Sequence, residues 1–128
     1  MAGQGKETHE SLVNLVRFDA PHLLRQQGFE MLVITGEKFM AMALGRKTAG
    51  KGRLPDVILY PLDDEPGPPL LVEIGQYSPS KWPSDIPVLH VGVNGAVSLI
   101  NPTRRQFEQN LANAVRRLLS DFDYQSDL

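Results

Sequence analysis

The chain has 128 residues, 41% of them hydrophobic, with 13 Lys and Arg against 15 Asp and Glu for a formal net charge of -2. This fits one domain, residues 1–128, with its own core, and the charge excludes a large nucleic-acid footprint while leaving room for local basic patches. With no cysteine there is no disulfide framework or thiolate metal site, and with no long apolar run or charged-then-apolar leader the expected compartment is cytoplasmic, without membrane contact.

From Glu10 to Leu24, the residues Leu12, Leu15, Val16, Leu23 and Leu24 recur at helical spacing, interrupted by Asp19-Ala20-Pro21; the pattern predicts a helix that kinks or restarts at the proline and stops at Gly28. Met31 to Ile34 reads as a short buried strand, Gly36 as a turn, Phe39 to Leu44 as a second strand and Asp56 to Tyr60 as a third. The acid, glycine and proline turn from Asp63 to Pro69 leads into a strand from Leu70 to Ile74, and the short links predict an antiparallel sheet. Pro79 and Pro83 make Ser78 to Asp85 an irregular loop. Two short strands then meet near Asn94-Gly95, a pair suited to a primed turn.

The last helix opens at Asn101-Pro102 or at Thr103, where Thr103-x-x-Gln106 is a capping box. Its apolar face is Phe107, Leu111, Val115, Leu118, Leu119 and Phe122. Residues 1–8 and 123–128 are expected to be flexible. The fold class is therefore α+β: an N-terminal helix, an antiparallel meander of about four strands, a proline-rich loop, short strands and a C-terminal helix.

Leu59-Tyr60-Pro61, Pro68-Pro69-Leu70-Leu71-Val72, Trp82, Pro87, His90, Asn94-Gly95 and Ser98-Leu99 occur in that order over residues 36–99. In this order they resemble the ubiquitin-conjugating enzymes, particularly divergent bacterial members associated with antiviral defence. The resemblance implies a transferase that carries a ubiquitin-like modifier through a thioester, with an activating enzyme and a target-protein lysine as partners and no cofactor or metal. Ser98 stands where the family has its reactive cysteine. A hydroxyl is a poor nucleophile at neutral pH and its oxyester is less reactive towards amines, so the chain as written is either impaired in transfer or a non-catalytic binder of the modifier. His90, eight residues before Ser98, is the candidate for oxyanion support or proton transfer, with a structural role as its alternative. Trp82 and Asn94 are candidate partner contacts, or respectively a core plug and a turn former.

A second resemblance points to another class. Pro55-Asp56 and Glu73-Ile74-Gly75 match the order in which metal-dependent PD-(D/E)XK nucleases place an Asp and a Glu on neighbouring strands to bind magnesium, and Glu10 in the first helix completes such a set. That family has a lysine two residues after the Glu, where this chain has Gly75, and a helix after that strand, where it has Pro79 and Pro83. The chain would be a degenerate nuclease.

Gly45-x-x-x-x-Gly50-Lys51-Gly52 approaches a phosphate-binding loop but lacks the Ser or Thr and the following helix. Arg46, Lys47, Lys51 and Arg53 make that loop basic, which suits an acidic partner or a solvated hairpin. Ser98 has no nucleophile-elbow glycines for serine-hydrolase chemistry.

Overall fold

The proline in the first helical pattern sets its shape. Pro21 has no N–H to give and its ring crowds the carbonyl four residues back, so the ladder widens ahead of it. The structure, a computed structural model, describes residues 4–45, 54–62, 67–77 and 81–126. In it α1 (Gln4–Asn14) runs into a π-helical turn (Leu15–Asp19) and then α2 (Ala20–Gln26). The Ala20 N–H donates to the Leu15 carbonyl, five residues back. Gly28, at a φ of 95°, turns the chain out of α2 as expected.

Strand β1 (Met31–Ile34) follows, then α3 (Glu37–Leu44), β2 (Val57–Pro61), β3 (Leu70–Ile74), β4 (Val88–Val91), β5 (Val97–Ile100) and α4 (Gln106–Ser126). The stretch Phe39 to Leu44, expected to be a strand, is a helix. Its Met, Ala and Leu residues are strong helix formers with no β-branched residue among them, and Met40 and Leu44, one turn apart, supply its buried side. The helices reach Gln4 and Ser126, into both termini expected to be flexible; residues 1–3 and 127–128 lie outside the described residues. So do residues 46–53, and with them the basic loop, its phosphate-loop-like motif, and the turn residues 63–66.

The five strands lie in the order β1-β2-β3-β4-β5. β1, β2 and β3 form an antiparallel meander of three strands rather than the four expected, and β4 and β5 are an antiparallel hairpin turned at Asn94-Gly95. The expectation of a wholly antiparallel sheet fails at β3 and β4, which run parallel. The connection 75–87 is long enough to carry the chain back to the start of the sheet, which a parallel neighbour requires; the proline-ruled loop is itself the crossover, without a helix in its described part, 81–87.

Side-chain alternation gives the sheet two covered faces. Val57, Leu59, Leu70, Val72, Leu89 and Val91 pack beneath α1, α2 and α4, including fully buried Phe107, Leu111 and Val115. Ile58, Leu71 and Val88 pack with Met40 and Leu44 of α3 and with Trp82 and Ile86 of the crossover. Phe107, Leu111, Val115 and Leu119 of the expected apolar face of α4 are buried and Leu118 is half-buried, while the Phe122 side chain lies outside those described. Among the described residues no helix is long and apolar enough to cross a membrane.

The α4 start departs from the expected box. The helix begins at Gln106, and the carboxylate that reaches back is that of Glu108, which accepts the Thr103 N–H at 2.8 Å and the Thr103 hydroxyl. Moving the acid two positions on lets it also take the Arg105 Nε at 3.0 Å.

Both sheet edges are blunted in the same way. Arg25 donates to the Met31 carbonyl at 3.4 Å and Arg116 to the Val97 carbonyl at 3.2 Å, and the pairing registers turn both carbonyls away from the neighbouring strand. Unpaired edge groups template association, so the double substitution Arg25→Ala, Arg116→Ala is expected to raise concentration-dependent self-association in sedimentation. An unchanged sedimentation profile would remove this role.

Candidate functional site: a polar row across the sheet

Asp56 stands just before β2, its N–H donating to the Val72 carbonyl at 3.0 Å. Glu73 is paired with His90, and His90 with Ser98. Alternation puts Glu73, His90 and Ser98 on the face that Met40 and Leu44 of α3 help to cover, so a carboxylate, an imidazole and a hydroxyl form one row across β3 to β5, while Asp56 turns towards α1 instead. The row joins Glu73 of the nuclease-type resemblance to His90 and Ser98 of the other and leaves Asp56 out.

Glu73 is its buried centre, at 5% exposure. Its Oε2 accepts the Trp82 indole N–H at 2.9 Å and faces the Lys81 ammonium at 2.6 Å. The Lys81 ammonium also stands 5.5 Å from the indole ring centroid, so one cation serves a carboxylate and an aromatic face together. Trp82, a candidate partner contact or core plug by sequence, is 3% exposed; it packs in the core and donates to Glu73.

Asp56 precedes β2. Its Oδ2 accepts the Ile74 N–H at 2.8 Å, tying the start of β2 to the end of β3, and its Oδ1 lies 3.5 Å from the His9 Nε2 of α1. Glu10 and Asp56 line the same surface groove. Gly75, two residues after Glu73, has a φ of 97°, a conformation that strains any residue with a Cβ. The cation beside Glu73 is Lys81 of the crossover loop.

His90 points an Nε2 at the Gly75 carbonyl, 2.6 Å away. A carbonyl only accepts, so this nitrogen donates. Ser98 is exposed on β5 beside it. Asn94 lies in the β4–β5 turn, where its Oδ1 accepts the Ala96 N–H at 3.1 Å; a Cβ on Gly92 would stand 2.7 Å from that oxygen, so Asn94 and Gly92 shape the turn together.

Sequence spacing gave no sign of Lys81 or Tyr77. The Tyr77 ring lies 5.5 Å from that of His90, and its hydroxyl is buried without a hydrogen-bond partner among the described residues. Burial, and then the nearby Glu73 charge, raise the Tyr77 pKa above 10.0. The unfolded chain therefore loses this proton first, and the stabilisation is complete below about pH 10 and lost as pH rises through the folded value. Tyr77→Phe is expected to stabilise the protein at neutral pH by up to about 1 kcal/mol, by removing an unpaired polar group, and to flatten alkaline denaturation above pH 10. Greater sensitivity to alkali in the variant would contradict this.

A magnesium ion fits this arrangement poorly. Among the described residues no three His, Cys, Asp or Glu side chains converge as a metal set, and Asp56 Oδ2 is engaged by a backbone amide and Glu73 Oε2 by an indole and an ammonium. No family model, no curated protein and no solved structure matches the chain.

Proposed function

We propose that this chain is a degenerate PD-(D/E)XK-type domain that keeps the acidic pair but does not cut nucleic acid. The observation that carries this reading is that Asp56, just before β2, is tied to β3 beside Glu73 by the Ile74 N–H at 2.8 Å, with Lys81 on Glu73 at 2.6 Å. An Asp and a Glu at the adjoining ends of neighbouring strands are what those nucleases also have. Its charge is met by donors of the chain itself, and an ammonium held on the carboxylate opposes a divalent cation there. The chain departs from the nucleases at Gly75 and in having turns rather than a helix over 81–86. Incubation of the protein with single- and double-stranded DNA and RNA, with magnesium or manganese, is expected to leave every substrate intact. Metal-dependent cleavage lost in both Asp56→Ala and Glu73→Ala would overturn the reading and make Lys81 the lysine of a working nuclease.

The other end of the row favours a second reading, that of a ubiquitin-conjugating-enzyme-like carrier. Ser98 is exposed and paired in register with His90, whose Nε2–H is fixed by the Gly75 carbonyl, leaving Nδ1 to take a proton from a nucleophile at position 98. The partners would be a ubiquitin-like modifier and its activating enzyme, with transfer to a protein lysine. Ser98→Cys, mixed with candidate modifiers, their activating enzymes and ATP, would then form a conjugate that thiol reductant removes. No conjugate with the genuine partners would exclude the transfer activity.

A further inference from the structure

Phe39 to Leu44, the larger part of α3, are all apolar, yet only Met40 and Leu44 among them are buried. A helix that is apolar all round is normally covered all round; this one has its outer side open, with Phe39 63% and Met42 70% exposed. Ala43 lines a cavity of about 150 Å³ together with Leu44, Pro68, Pro69 and Ile86. Phe39 stands one turn before Ala43 and therefore on the same flank of the helix. The floor beside this flank is the uncovered end of the sheet face that packs Ile34 and Ile58 with α3. Leu32 and Tyr60, paired in register, lie on that face two residues from Ile34 and Ile58 and are 51% and 41% exposed. The Leu62 N–H donates to the Glu30 carbonyl at 2.9 Å, so the alternation continues to Leu62, which is 53% exposed. Pro69 adjoins this floor, since it precedes Leu70, the partner of Leu59 next to Tyr60.

We infer that this face is the two-fold interface of a homodimer, in which each copy lays the Phe39 and Met42 side of α3 on the Leu32, Tyr60 and Leu62 floor of the other. Area favours a second copy. At about 200 Å² for a large side chain, these five leave roughly 500 Å² of apolar surface open, towards the upper end of what a monomer shows. Two copies together remove roughly 1,000 Å² before any rim is counted, which reaches the size of a specific interface. The described rim sets Arg25 and Lys38 against Glu30 and Glu37, so a second copy meets no net repulsion there and a strongly charged partner gains nothing. Strand pairing does not carry the contact, because Arg25 occupies the Met31 carbonyl at the β1 edge. With the same patch used by both copies, association closes at two.

Sedimentation equilibrium of the full chain tests this. A dimer that grows no further is expected at about 100 μM, with a dissociation constant in the micromolar range. Phe39→Glu and Met42→Glu each enter the interface twice and are expected to weaken dimerisation about a hundredfold or more. Both positions are exposed, so circular dichroism should show both variants folded. Leu32→Glu is expected to do the same from the floor. Val93→Glu, at an apolar position of the β4–β5 turn that is 63% exposed, is expected to leave the dimer intact, which separates this face from general stickiness. A dimer that survives both Phe39→Glu and Met42→Glu, equal loss in Val93→Glu, or association that runs past two copies would overturn the inference. So would a chain that stays monomeric at about 100 μM, which would leave the face to a different protein.

Discussion

Glu108→Ala is expected to cost about 3–5 kcal/mol of folding stability, the loss typical of breaking a buried ion pair by removing one partner. Glu108 is 0% exposed and Arg105 is 7% exposed. The carboxylate takes the Thr103 N–H, the Thr103 hydroxyl and two nitrogens of Arg105, and Arg105 in turn donates to the Pro68 carbonyl at 2.7 Å. One cluster thus fixes the start of α4 against the segment that enters β3. Among the described residues Arg105 already has one buried nitrogen, Nη1, without a partner, so the alanine variant would leave its guanidinium with Thr103 and the Pro68 carbonyl as its described partners. Denaturant unfolding should show the loss as a lower midpoint with an unchanged slope. Replacing both residues by methionine should cost less than Glu108→Ala alone, since the uncompensated charge leaves with its partner. A loss below about 1 kcal/mol in Glu108→Ala would mean that water meets this cluster in solution.

Glu73→Ala is expected to cost about 2–4 kcal/mol, because it orphans the buried indole N–H of Trp82 and the Lys81 ammonium together. Lys81 retains 25% side-chain exposure and recovers part of its hydration, which keeps the figure below that for Glu108. The same change loosens the crossover between β3 and β4, so local hydrogen exchange around residues 81–88 should rise more than in α4. Glu73→Gln keeps one acceptor oxygen and should cost roughly half as much. Equal stability of wild type and Glu73→Ala would contradict the closed acidic pair.

The chain announced its elements unevenly. Pro21 fixed the helix restart, Gly28 its end and Asn94-Gly95 the last hairpin, each through a backbone constraint carried by one residue. Phe39 to Leu44 misled because a short apolar run has no decisive period, and only the partners of Met40 and Leu44 make it a helix. The parallel β3–β4 pair was hidden because Pro79 and Pro83 mark an irregular loop without revealing that it crosses the sheet. At the site, Asp56, Glu73, His90 and Ser98 were all visible as residue types. The alignment of the last three in one row, and the turning of Asp56 towards α1, depend on strand order and register, which no local spacing encodes. Lys81 was invisible for the same reason: the cation that meets Glu73 comes from a loop beside Trp82, while the position two residues on from Glu73 is a glycine in a left-handed conformation.

The central claim is that the protein's own donors close the acidic pair. Titration of the full chain with manganese, followed by thermal unfolding, tests it most directly. A closed pair predicts no saturable shift in melting temperature at millimolar metal. A saturable increase that disappears in both Asp56→Ala and Glu73→Ala would contradict the claim, because the metal would then be displacing Lys81 from Glu73.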